Sequence, residues 1–102
     1  MKGKSIAEAA IERFPELGCY AVAVRRIAFD KGLSLEEAIK RSKVSKSGFY
    51  AGMAGSGGTS TRMPSLGTFF AVAEGLGVAP EELIAQMRKE AEHLSESGKE
   101  GA

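Results

Sequence analysis

The segment SLEEAIKRSKVSKSGFYAGM, residues 34–53, decides the fold. Ser34 and Glu37 have the spacing of a capping box, which predicts a short helix that ends near Ser42. Ser45 is a second N-cap residue, and it predicts another short helix after a link of only two residues. The segment therefore predicts two short helices joined by a tight turn.

Helical periodicity extends to both sides of this pair, and no strongly periodic strand is found in the sequence. Gly and Pro residues mark most of the boundaries. In chain order, the predicted helices cover residues 5–14, 19–31, 34–42, 45–53, 64–76 and 80–97, with an exposed loop at 55–63. These patterns predict an all-α fold, in which a five-helix domain carries an extra N-terminal helix and an extended C-terminal helix.

A chain of 102 residues suffices for one compact domain with a modest core. We expect an N-terminal extension helix at 1–18, the main domain at 19–94 and a frayed tail at 95–102. Apolar residues at helical spacing are expected to form the core. They are Ile27, Phe49, Leu66, Phe69, Phe70 and Leu76.

The single cysteine, Cys19, excludes a disulfide or a cysteine-based zinc site within one chain. The sequence also contains no apolar run of the length that a membrane span needs, and its N-terminus lacks a signal-peptide core. These features predict a cytoplasmic protein that makes no membrane contact.

Charge is distributed unevenly along the chain. Residues 25–62 carry eight cationic and three anionic side chains, a net charge of +5, whereas residues 65–102 carry three and seven, a net charge of −4. A basic middle beside an acidic C-terminal part suits a protein that turns one face toward a polyanion. An ordinary solvated surface of mixed charge explains the asymmetry equally well.

The residues needed for an enzyme are not found in the sequence. The only histidine, His93, lies among glutamates without a partner at metal-binding spacing, and we expect it to be exposed. The glycine-rich run at 55–58 lacks the lysine and the preceding strand of a phosphate loop. We therefore expect no catalytic residue, no metal and no cofactor.

Residues 24–83 resemble the Cro/lambda-repressor class of helix-turn-helix domains, often called the Xre-like family. The likeness is carried by short pieces that occur in family-like order and spacing. They are Arg25, Lys31-Gly32-Leu33-Ser34, Glu36-Glu37, Val44-Ser45-Lys46-Ser47, Gly55, Pro64-Ser65-Leu66, Leu76-Gly77-Val78 and Glu81-Glu82-Leu83. The resemblance implies a recognition helix at about 45–53, and it implies that Arg25 pairs with Glu36 or Glu37 inside the domain.

The sequence departs from the family pattern at several positions. Leu35 stands where the family usually has an amide that contacts the DNA backbone, and Lys43 replaces a frequent turn glycine. Ala38 and Ile39 reverse the usual order of large and small residues, so the packing of this helix is expected to be swapped or rotated. Gly52 replaces a frequent core residue.

A recognition helix that enters the major groove must expose small or polar residues that reach base edges. We expect base contacts from Lys46, Ser47, Tyr50 and Ala51. Phosphate contacts, which provide affinity without sequence discrimination, are expected from a second set. These residues are Ser45, Lys43, Lys40, Arg62 and Thr59. For Ser45 simple helix capping is an equally compatible role, and each cation taken alone is also explained as a solvated surface residue.

The C-terminal helix is longer than closing the domain requires, which predicts a second packing surface. We expect that surface to form a twofold homodimer that places two recognition helices about 34 Å apart on DNA. Its residues would be Leu83, Met87, Ala91 and Leu94. Alternatively, this stripe covers the N-terminal helix through Ile6, Ala10 and Phe14.

The function that follows is sequence-specific binding of double-stranded DNA as a transcriptional regulator, in the first place a repressor. One alternative is an antitoxin of a toxin–antitoxin pair or an adaptor, whose main task is to hold a protein partner such as a toxin or co-regulator. A further alternative is a degenerate helix-turn-helix domain that serves only protein contact, which the departures at Leu35 and Gly52 allow.

Overall fold

The computed structural model describes residues 6–51, Met53 and 63–101, and this part of the chain is helical, without a strand. A 3₁₀ turn at Pro15–Cys19 separates the first two of six α-helices. The helices are α1 (Ile6–Arg13), α2 (Tyr20–Asp30), α3 (Leu35–Ser42), α4 (Lys46–Ala51), α5 (Leu66–Leu76) and α6 (Pro80–Gly101). The predicted all-α class is confirmed.

The helix starts follow from short polar side chains. Ser34 Oγ accepts a hydrogen bond from the Glu37 N–H at 3.1 Å, and Ser65 Oγ accepts one from the Thr68 N–H at 3.2 Å. These bonds satisfy N–H groups that have no partner inside a helix. Pro15 follows the end of α1 as predicted, but its turn is a 3₁₀ helix that was not expected.

The core lies where α2, α5 and α6 meet, and Phe49 of α4 closes it from one side. Val24, Phe49, Leu76 and Leu83 are almost completely buried. The N-terminal extension joins this core through its 3₁₀ turn, which packs against α6, whereas Ile6 in α1 is largely exposed. Helix α1 itself therefore contributes little apolar burial.

Helices α3 and α5 approach each other so closely that their backbones touch. A Cβ atom at Gly75 of α5 would lie 2.5 Å from the Ala38 carbonyl oxygen and 2.8 Å from the Ser42 nitrogen. Ala38 and Ser42 are the buried residues of α3, while Leu35 and Ile39 are partly buried at its sides. The small residue of α3 thus faces α5, and the absent side chain of Gly75 fixes the position of α3.

Two of the six predicted core residues are exposed, and Phe69 is only partly buried. Leu66 is 73% exposed and Phe70 is 53% exposed, because the buried stripe of α5 runs through Val72, Ala73 and Leu76. The predicted burial of Leu76 is confirmed, whereas Leu66 and Phe70 turn outward. Nearly every residue of α5 is apolar, so its sequence does not specify which face turns inward.

The predicted dimer surface is also corrected. Leu83 and Met87 are 0% and 4% exposed, because their side of α6 packs against the 3₁₀ turn and α2. They cannot contact a second chain in this fold. Ala91 is partly buried and Leu94 is 47% exposed, so only the outer part of the stripe is accessible. The segment that covers the stripe from the N-terminal side is the 3₁₀ turn that follows α1.

The C-terminal helix continues beyond its predicted end. Helix α6 reaches Gly101, whereas we expected it to end near Ser97 with a frayed tail from residue 95. The segment after Leu94 contains no proline, and its glutamates and lysine are good helix formers.

Candidate functional site

The connection between α3 and α4 consists of residues 43–45. Lys43 adopts a left-handed conformation, with φ of 61°, and its N–H donates to the Ile39 carbonyl at 3.2 Å. A left-handed residue is the usual way to end a helix, and glycine is its usual occupant. Ser42 Oγ also donates to the Ile39 carbonyl, at 2.8 Å. The tight turn predicted from the sequence is therefore present, with a lysine at the strained position.

Helix α4 is short, and it is held by a hydrogen bond at its N-terminus and by one buried side chain. Ser45 Oγ accepts a hydrogen bond from the Gly48 N–H at 3.0 Å, which confirms its role as the N-cap. A Cβ at Gly48 would lie only 3.0 Å from this Oγ, so glycine leaves room for the cap. Phe49 is 0% exposed and anchors the helix in the core.

The first turn of α4 presents its polar side chains to solvent. Ser45, Lys46 and Ser47 are all exposed, and the two serine hydroxyls lie 3.4 Å apart. Three of the residues predicted to contact DNA therefore lie together on one accessible surface. We call these three residues the α4 polar surface.

Tyr50 and the end of α4 differ from the prediction. Tyr50 is only partly exposed, because its ring packs against the core and lies edge-on to Phe49 with centroids 5.6 Å apart. The helix ends at Ala51 rather than at Met53, which is buried. Ala51 belongs to α4, but the exposure of its side chain lies outside the described part of the structure.

The predicted phosphate-contacting residues are only partly described. Lys40 and Lys43 are exposed, and Lys40 lines the same shallow depression as Lys46, beside Ser34 and Ile39. Thr59 and Arg62 lie outside the described residues. The structure thus brings Lys40 close to the α4 polar surface.

Two carboxylates lie next to these cations. Glu36 and Glu37 line the depression shared by Lys40 and Lys46. Glu37 also pairs with Arg41 of the same helix at 3.5 Å. The predicted pairing of Arg25 with Glu36 or Glu37 is not found among the ion pairs of the described residues. The acidic residues therefore reduce the positive potential beside Lys46.

A buried polar cluster was missed from the sequence. Glu90 of α6 is 9% exposed, and its carboxylate accepts from Gln86 Nε2 at 2.7 Å and faces Arg26 Nε of α2 at 3.4 Å. Glu90 follows Leu83 and Met87 at helical spacing, so a charged residue in an apolar stripe was the available signal.

Burial, together with the nearby Glu90 and Glu16, raises the pKa of the Cys19 thiol.

Tyr20 is the first residue of α2, and its polar end is buried. The residue is 1% exposed, and its hydroxyl is shielded from solvent and lacks a hydrogen-bond partner among the described residues. Burial raises the pKa of Tyr20 to about 12. An unpartnered buried hydroxyl is costly, which makes this position unusual in the core.

Three further observations concern the described part of the chain. His93 is exposed, as predicted. Within residues 6–51, Met53 and 63–101, His, Cys, Asp and Glu side chains do not form a group of three or more that could hold a metal ion. None of the helices in these ranges combines the length and the apolarity needed to cross a membrane.

The comparisons with known proteins give no relative for this chain. No family model matches it, and neither a curated protein nor a solved structure matches it.

Proposed function

We propose that this protein binds double-stranded DNA, using α3 and α4 as a helix-turn-helix unit of the Cro/lambda-repressor type, and acts as a transcriptional regulator. The observation that carries the proposal is the α4 polar surface. A helix enters the major groove only if its leading residues are accessible, and Ser45, Lys46 and Ser47 are all exposed while Phe49 anchors the helix from behind.

The side chains of this surface have the chemistry that base edges require. The Lys46 ammonium donates to guanine O6 or N7, and a serine hydroxyl such as that of Ser47 either donates or accepts. Lys40 and Lys43 are both exposed and supply cations for phosphate contacts beside α4. Tyr50 contributes less than the sequence indicated, because part of its ring is packed against the core.

Glu36 and Glu37 provide an internal test of the proposal. Because both carboxylates line the depression that Lys46 shares, they repel a DNA phosphate that approaches it. Replacing Glu36 with Gln should therefore raise DNA affinity. If this surface contacts only proteins, the same replacement should not increase DNA binding.

A homodimer remains part of the proposal, on a revised surface. Leu83 and Met87 are excluded by burial, which leaves the outer residues of α6, among them Leu94. Sedimentation of the free protein and of its DNA complex measures the number of chains. A single chain in both would remove the dimer from the proposal without affecting DNA binding itself.

The deciding experiment selects bound fragments from random duplex DNA with the complete chain and repeats the binding measurement at raised salt. Enrichment of a common sequence is expected, with an affinity that falls as salt increases. Lys46→Ala should relax the sequence preference, and Lys43→Ala should weaken binding to all sequences and reduce the salt slope by about one. Lys89→Ala, at an exposed lysine of α6, is the control and should change neither.

Failure to enrich any sequence, together with unchanged affinity in both Lys46→Ala and Lys43→Ala, would refute the proposal. The antitoxin or adaptor function would then be favoured if the chain forms a stable complex with the product of a neighbouring gene.

A further inference from the structure

An apolar groove lies on the surface formed by α2, α5 and α6. It has a volume of about 470 Å³, which lies in the range of small-molecule sites. We call it the apolar groove. Its walls come from the 3₁₀ turn and its flanks, from the start of α5 and from one face of α6, and they include Phe14, Leu17, Tyr20, Leu66, Phe69 and Ile84.

Several side chains of the groove remain accessible although they are apolar. Phe14 is 47% exposed, Leu66 is 73% exposed and Ile84 is 39% exposed. Exposed apolar residues that surround a depression, rather than being scattered singly, mark a binding site. The groove is separate from the α4 polar surface, since none of Ser45, Lys46 and Ser47 lines it.

Two polar features distinguish the groove from a plain apolar patch. At its rim, Arg88 Nε lies 3.5 Å from Glu16 Oε2, and the Arg88 side chain is 68% exposed. Only 25% of the Glu16 side chain is exposed, but the exposed Arg88 guanidinium keeps donors that do not face Glu16 and are available to an anion. Along its wall, Tyr20 carries the buried hydroxyl that lacks a partner.

The Tyr20 hydroxyl is an unusual feature of a residue that lines a groove. A buried donor without an acceptor costs free energy that the folded chain alone does not recover. Because Tyr20 lines the groove, its ring reports on a ligand that binds there.

We propose that the apolar groove binds a small aromatic carboxylic acid, with the ring against the apolar walls and the carboxylate on Arg88. The aromatic walls suit ring stacking, and the planar guanidinium suits a carboxylate because the two form paired hydrogen bonds. This site does not depend on DNA binding, and it gives the protein a means of responding to a metabolite of that chemical class.

The test uses 1-naphthoate as the probe and 1-naphthamide as its neutral match in shape. Binding is followed by NMR of the complete chain, which contains only two tyrosines. Ligand in the groove should shift the ring signals of Tyr20 in a saturable way and leave those of Tyr50, in α4, unchanged. 1-Naphthoate should bind about tenfold more tightly than 1-naphthamide, because only the carboxylate forms a charge-assisted bond with Arg88.

Two variants on neighbouring positions of α6 complete the experiment. Arg88→Gln should lower the affinity for 1-naphthoate about tenfold and leave that for 1-naphthamide unchanged. Lys89→Gln removes an equal charge from an exposed residue that does not line the groove, and it should affect neither ligand. Both side chains are exposed, so both variants should fold. Circular dichroism and the melting temperature check this.

Three results would overturn the inference. In the first, Tyr20 does not respond to saturating 1-naphthoate. In the second, the acid and the amide bind equally, or Arg88→Gln changes nothing. In the third, the free protein sediments as a dimer that Leu66→Glu dissociates, because a second copy would then occupy the groove. None of these results bears on DNA binding, which is measured separately.

Discussion

Replacing Gly75 with alanine should destabilise the fold, although alanine is the better helix former. The new Cβ would lie 2.5 Å from the Ala38 carbonyl oxygen, whereas carbon–oxygen contacts normally begin near 3.3 Å. Helix α3 would have to retreat by roughly 0.8 Å. The other atoms in its way, the nitrogen and Cβ of Ser42 at 2.8 Å, belong to the backbone or are fixed to it, so no side-chain rotation relieves the clash.

The expected size follows from two opposing contributions. Overpacking of this kind costs about 2 to 3 kcal/mol, and the gain in helix propensity from glycine to alanine offsets about 1 kcal/mol. The free energy of unfolding should therefore fall by about 1 to 2 kcal/mol. For a chain of this size, such a change lowers the melting temperature by roughly 5 to 15 °C.

Gly67 supplies the matched control, because it lies in the same helix and a Cβ there would meet nothing within 4 Å. Gly67→Ala should therefore raise the free energy of unfolding by about 0.5 kcal/mol. Urea unfolding followed by circular dichroism at the helical band measures both variants. If Gly75→Ala were stabilised as much as Gly67→Ala, the close contact between α3 and α5 would be refuted.

Two further predictions concern single residues with unusual surroundings. Lys43→Gly should raise the free energy of unfolding by up to about 1 kcal/mol, because glycine adopts the left-handed conformation without strain. It should also lower the affinity for all DNA sequences equally. An unchanged free energy of unfolding in urea would contradict the strain at Lys43. Between pH 10 and 12 the free energy of unfolding of the wild type should fall, and in Tyr20→Phe this fall should be absent. The unfolded chain releases the tyrosine proton near pH 10, whereas the folded chain holds it until about pH 12, so the wild type loses about 2 to 3 kcal/mol across that interval. Urea unfolding at pH 8 and at pH 11 measures the difference, and an equal decline in both proteins would exclude Tyr20 as its source.

The local features of the fold could be predicted because local chemistry determines them. Ser34, Ser45 and Ser65 each cap the helix that follows, and a serine at such a position satisfies a free N–H whatever the rest of the chain does. Pro15 ends α1 for an equally local reason, since the residue before a proline is displaced from the helical conformation. The turn between α3 and α4 was therefore predictable to within a residue or two.

Features that depend on distant contacts were not predictable in the same way. Helix α5 is apolar on most of its faces, so Leu66 and Phe70 were assigned to the core although the contact with α3 turns them outward. Leu83 and Met87 were correctly identified as an apolar stripe, but periodicity does not reveal whether a stripe packs within the chain or against a second one. The 3₁₀ turn that covers them had no sequence signal of its own.

The candidate DNA-binding surface depends on both kinds of feature. Its exposure follows from the local cap at Ser45 and the anchor at Phe49, but its position in the molecule follows from the contact of α3 with Gly75, because α3 and α4 are joined by only three residues. A shift of α3 would move α4 with it, and a misplacement of about 1 Å is enough to weaken directed hydrogen bonds. Gly75→Ala should consequently weaken sequence-specific binding more than binding to random DNA, since phosphate contacts made by mobile lysine side chains tolerate such a shift. A stability defect alone would reduce both in proportion, so the ratio of the two affinities separates misplacement of α4 from simple loss of folded protein.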